Sequence, residues 1–93
     1  MKKNIDLQFK VPVSVIKEGK NFVAYSPVLD LSTSANTFEK ARERFAEIVC
    51  VFFEELIRKG TLGEVLLDLG WQKIQKKWNP PVVVAQDFQT VCL

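Results

Sequence analysis

Two cysteines, a pair of adjacent glutamates, an aspartate in a proline-containing turn and two tryptophans set among lysines are the side chains of this 93-residue chain that could carry chemistry. The chain has no histidine, so the commonest general base and the usual partner of a nucleophilic serine or cysteine are missing. Cys50 lies between Val49 and Val51 with Glu47 and Glu54 nearby. Acidic neighbours do not activate a thiolate, and Cys50 reads as a packing residue of a helix. Cys92 stands far from it, in no CxxC spacing, which leaves no zinc site. Glu54 and Glu55 diverge by about 100° on a helix and so do not aim at one substrate atom; they read as solubilising. Asp30 has no second ligand nearby and reads as a turn former. The glycines Gly19, Gly60, Gly63 and Gly70 are isolated, which excludes a glycine-rich phosphate loop. No catalytic residue, cofactor or metal is expected.

Trp71 and Trp78, interleaved with Lys73, Lys76 and Lys77, offer the one constellation suited to nucleic acid, since aromatic rings on a sheet stack unpaired bases while lysines meet phosphates. Packing in a core or interface is the favoured use of the two indoles. The charge balance agrees: 13 basic against 11 acidic residues give a net charge of +2, spread along the chain with no continuous basic footprint.

The elements that must position these residues follow from hydrophobic patterning. A chain of this length holds one core and no second, and 47% hydrophobic with 26% charged residues supplies it with a soluble, globular composition. The longest apolar run, Ile48 to Phe53, is bounded by Glu47 and Glu54 and falls far short of the roughly 20 residues that span a bilayer. No signal-like segment precedes Ile5, so the cytoplasm is the expected compartment.

From Ile5 to Val15 the odd positions are apolar, the period-two pattern of a half-buried strand. Pro12 cannot donate a ladder hydrogen bond, so the strand is at an edge there, bends, or divides into two shorter strands. A glycine-containing turn over Lys17–Asn21 leads to a second strand, Phe22–Tyr25, and Pro27 separates it from a third extended segment over Val28–Thr33 with Leu29 and Leu31 on one face. Asn36 or Thr37 caps a long helix whose apolar positions Phe38, Ala41, Phe45, Ile48, Val49, Phe52 and Leu56 cover the sheet. Gly60 ends it in a left-handed conformation. Thr61–Leu69 is a short second helix closed by Gly70, Trp71–Trp78 alternates as a strand, and Asn79-Pro80-Pro81 makes a stiff break before the strand-prone Val82–Ala85. The fold class is α+β: a three- to four-stranded, mainly antiparallel sheet covered by one long and one short helix, with residues 1–79 as the domain and 80–93 as a strand-like tail.

The segment FVAYSPVLDLSTSANTFEKA, Phe22 to Ala41, with the alternating strand before it, resembles the HicB-like antitoxins of toxin–antitoxin pairs. The likeness rests on Tyr25 to Pro27, Leu29-Asp30, a Ser-Thr pair, and Asn36-Thr37 ahead of Glu39 and Ala41, and it covers more than half the chain. It departs from the family at Ala35, commonly glycine there, and at Lys40, commonly acidic. The resemblance implies a degenerate ribonuclease H-like fold without working catalytic residues, and a protein that neutralises a small HicA-like, RNA-cleaving toxin by covering its active surface. Many relatives append a DNA-binding module, and nothing after Pro81 is long enough for one, which argues against DNA binding by this chain alone.

Candidate partner-binding residues are Tyr25 and Asp30 in the resembling segment, Cys50, Val51 and Ile57 on helix positions away from the main apolar stripe, and Val83 in the tail. The same residues would serve a homodimer or higher homo-oligomer, the tail by adding a strand to a neighbouring subunit. An oligomeric adaptor without a toxin partner and a weak RNA-binding module are therefore the alternative functions.

Overall fold

The computed structural model describes residues 10–93. Its elements are β1 (Ser14–Glu18), β2 (Asn21–Ser26), β3 (Leu31–Ala35), α1 (Phe38–Lys59), α2 (Leu62–Asp68), β4 (Gln72–Ile74) and β5 (Lys77–Asn79). An α+β domain results, in which β1, β2 and β3 form an antiparallel meander in that order.

The meander begins later than the alternation of Ile5–Val15 suggests. Residues 5–9 lie outside the described part, residues 10–13 are not in a strand, and β1 starts two residues after Pro12, whose missing N–H cannot enter a ladder. It then runs on through Lys17 and Glu18, so the turn shrinks to Gly19 and Lys20, with Glu18 opposite Asn21. Gly19 has φ 59° at the first of two loop positions, where a type II′ hairpin turn requires glycine. The third strand is also shorter than expected. Residues 27–30 form a turn in which Asp30 takes φ 52°, a conformation that aspartate tolerates better than most residues. Val28 and Leu29 are buried in that turn rather than in a strand.

Helix α1 is bounded by the local chemistry of its ends. The Thr37 Oγ1 accepts a hydrogen bond from the Lys40 N–H at 3.1 Å, Glu39 stands in the first turn and Arg58 and Lys59 in the last, each favourable to the helix dipole. Gly60, at φ 70° and ψ 24°, closes it: the Gly60 N–H donates to the Ile57 carbonyl at 3.2 Å and the Thr61 N–H to the Leu56 carbonyl at 2.9 Å, the paired bonds of a Schellman motif. The same motif closes α2, where Gly70 donates to Leu67 at 3.0 Å and Trp71 to Leu66 at 2.9 Å.

One face of the sheet is covered by α1. Ala24, Ala35, Ala41 and Phe45 form one buried cluster, and Val28, Leu29, Phe53, Leu66 and Trp71 another; Leu31 and Val49 pack against both. Three alanines in the first cluster let helix and sheet approach closely. Two positions of the anticipated stripe change: Phe38, at the first turn, is 41% exposed and lies under the Arg42 guanidinium at 5.7 Å, while Phe53 joins the core. The segment Trp71–Trp78 is not one strand but a hairpin, β4 against β5, with Gln75 and Lys76 at φ 51° and 67°; it pairs with itself and adds no fourth strand to the main sheet. Val82–Ala85 are in no strand.

Candidate functional site

Side chains alternate across a strand, so the burial of Ala24 and Ser26 against α1 sends Tyr25 to the opposite face of the sheet, where it stands half-buried between Ser14 and Ser32. Asp30 is exposed at the tip of the β2–β3 turn. Cys50 and Val51 lie on the solvent side of α1, Val51 being 57% exposed; the reading of Cys50 as a packing residue is thus corrected, because its position is turned away from the sheet. Ile57 is half-buried on the same helix, and Val83 is exposed in the tail. The candidates do not converge: they divide among the outer sheet face, the back of α1 and the tail.

The back of α1 holds a feature that inspection of single residues missed. Glu43, Glu47 and Glu54 are exposed and, spaced by four and seven residues, fall within about 40° of one another around the helix at about 100° per residue. Cys50 and Ile57 border this stripe on one side and Val51 on the other. None of the three glutamates is in an ion pair among the described residues. Glu55, by contrast, points to a different side, where the Arg58 guanidinium meets it at 2.7 Å and Lys59 at 3.7 Å. The hydrogen bond from Arg58 lowers the Glu55 pKa; desolvation opposes it, and Lys59 adds a further lowering. The stripe's i, i+4, i+11 spacing is legible in the sequence, as is the placing of Cys50 and Val51 away from the apolar stripe; the structure adds that both are exposed.

A second surface feature is an apolar groove of about 350 Å³ lined by Val11, Val13, Arg42, Phe45, Ala46 and Val49. The tryptophans form no stacking platform. Trp71 is 1% exposed, and Trp78 is partly buried against Leu66 and its neighbours, with Lys73 over its ring at 5.7 Å. Among the described residues, no three histidine, cysteine, aspartate or glutamate side chains are grouped to hold a metal ion, and no helix is long and apolar enough to cross a membrane.

Comparison of the chain with models of known protein families, with curated proteins and with solved structures finds no match.

Proposed function

We propose that this chain is a binding protein of the HicB-like antitoxin type, which neutralises a small HicA-like, RNA-cleaving protein by direct contact, on a core derived from a degenerate ribonuclease H-like fold. The observation that carries this reading is the back of α1: Glu43, Glu47 and Glu54, exposed and in no ion pair among the described residues, with Val51 and Cys50 on either side. A protein that cleaves RNA presents basic groups to phosphates. A helix with a row of carboxylates and apolar contacts beside them offers such a surface complementary charge, which steers encounter and excludes RNA. The strand–strand–helix order over Phe22–Ala41, with β1 before it, supports the resemblance that suggests the partner's class.

Co-expression with the product of an adjacent small reading frame tests the reading. A stoichiometric complex on size exclusion that silences RNA cleavage is the expected result, and the triple variant Glu43→Lys, Glu47→Lys, Glu54→Lys abolishes both while keeping its helical circular dichroism. Unimpaired binding by that variant, or a complex that still cleaves RNA, overturns the proposal.

A further inference from the structure

Pro80 and Pro81 are partly buried, with the Pro81 ring beside Gly70, so the chain leaves the domain from a stiff, fixed point. Beyond them, residues 82–93 belong to no helix or strand. Val82, Val84, Phe88, Val91 and Leu93 are between 74% and 119% exposed. The side-chain hydrogen bond formed by Gln89 goes to the adjacent Thr90 carbonyl. Five large apolar side chains on one extended segment mark a surface made to be covered.

The domain carries a surface that fits them. The groove of about 350 Å³ has roughly twice the volume of the ~150 Å³ cavity that accommodates a benzene ring, enough for an aromatic ring with a branched side chain next to it. Arg42 is its one charged lining residue among the described residues. Asp87, adjacent to Phe88, is the one charged side chain among residues 82–93. Val11 and Val13 lead directly into β1, an edge strand of the described sheet, whose backbone can receive an extended segment by strand addition.

We infer that two copies of this chain exchange their C-terminal segments, Phe88 of each entering the Val11–Val49 groove of the other with Asp87 paired to Arg42. Reciprocal exchange closes with twofold symmetry, so two identical contacts form and no groove is left open to extend a chain of subunits. The inference is independent of the antitoxin reading, because it concerns this chain alone and leaves the glutamate stripe of α1 uncovered.

Light scattering coupled to size exclusion, with sedimentation over a wide concentration range, tests it on the full chain without any partner. The wild type is expected at the mass of two chains. Phe88→Asp, Asp87→Arg and Arg42→Glu each raise the dimer dissociation constant about tenfold or more, whereas the double variant Arg42→Glu, Asp87→Arg restores dimerisation. Arg42 also lies over the Phe38 ring, so its variant is checked by circular dichroism; the tail variants, in a fully exposed segment, report on the exchange without that complication. A monomeric wild type, a dimer indifferent to Phe88→Asp, or a charge swap that fails to restore association overturns the exchange.

Discussion

The indole N–H of Trp71 donates to the carbonyl oxygen of Val28 at 2.8 Å, a buried bond between residues 43 apart in sequence. It joins the β2–β3 turn to the end of α2, and the ring completes the core at Phe53, with centroids 6.3 Å apart in an edge-on arrangement. Gly70 makes this possible. At φ 91° it reverses the chain after α2, and the Schellman motif brings the following residue back onto the helix's last turn, so that Trp71 and Leu66 are both buried.

Replacing Trp71 with Phe should therefore destabilise the domain by about 1–3 kcal/mol, since the Val28 carbonyl is left buried without its donor. Trp71→Ala should cost about 3–5 kcal/mol by adding a cavity. Urea unfolding followed by circular dichroism measures both, and equal midpoints for wild type and Trp71→Phe would show that the bond contributes nothing.

Ser26 presents the opposite case. It is fully buried on the helix-facing side of β2, opposite Leu31, and its hydroxyl has no hydrogen-bond partner among the described residues. A buried hydroxyl without a partner costs about 1–3 kcal/mol. Ser26→Ala removes that cost with little change in volume, and a gain of about 1 kcal/mol in unfolding free energy is expected; a loss in thermal midpoint would indicate that the hydroxyl is satisfied in solution.

Glu55 makes part of the stability of α1 dependent on pH. Its pKa in the folded chain lies below the ordinary value of 4.5, first through the Arg58 hydrogen bond and then through Lys59. A group depressed on folding contributes stability above its unfolded pKa and loses it as pH falls through the folded one. The pair is solvent-exposed, so the contribution is small and screened by salt. Carboxyl chemical shifts should give Glu55 a midpoint below 4.5 that rises towards that value in Arg58→Ala; an identical midpoint in both proteins would remove Arg58 as the cause.

Much of the fold is legible in the sequence where local chemistry decides it. Thr37 and Gly60 mark the ends of α1 because a hydroxyl cap and a left-handed glycine act within one turn, and the Ala41, Phe45 and Leu56 stripe follows from helical spacing. Tertiary contacts decided the rest. Val28 and Leu29 read as strand residues, yet they are buried because Trp71 and Leu66 cover their turn. Cys50 reads both as a packing residue among apolar neighbours and as a helix position off the main stripe, and its exposure decides for the second. Of the candidate surface, the glutamate spacing is visible in the sequence, while the groove beside Arg42 is not, since it needs Val11 and Val13 brought against α1.

The hairpin in Trp71–Trp78 was hidden for a reason that can itself be tested. Ile74 pairs with Lys77 across a two-residue loop, and Gln75 and Lys76 both take positive φ, as a type I′ turn requires. Neither residue favours that region; Asn-Gly does, and its absence removed the usual sequence signal of a hairpin. A left-handed conformation costs an ordinary residue about 1–2 kcal/mol. The double substitution Gln75→Asn, Lys76→Gly relieves part of that cost at two exposed positions that carry no core contact, offset by the greater freedom of glycine in the unfolded chain. A net gain of about 1 kcal/mol is expected, with slower amide exchange at Ile74 and Lys77, the hydrogen-bonded pair next to the loop, as the hairpin opens less often. Unchanged stability together with unchanged exchange would mean that the loop does not hold the I′ conformation in solution.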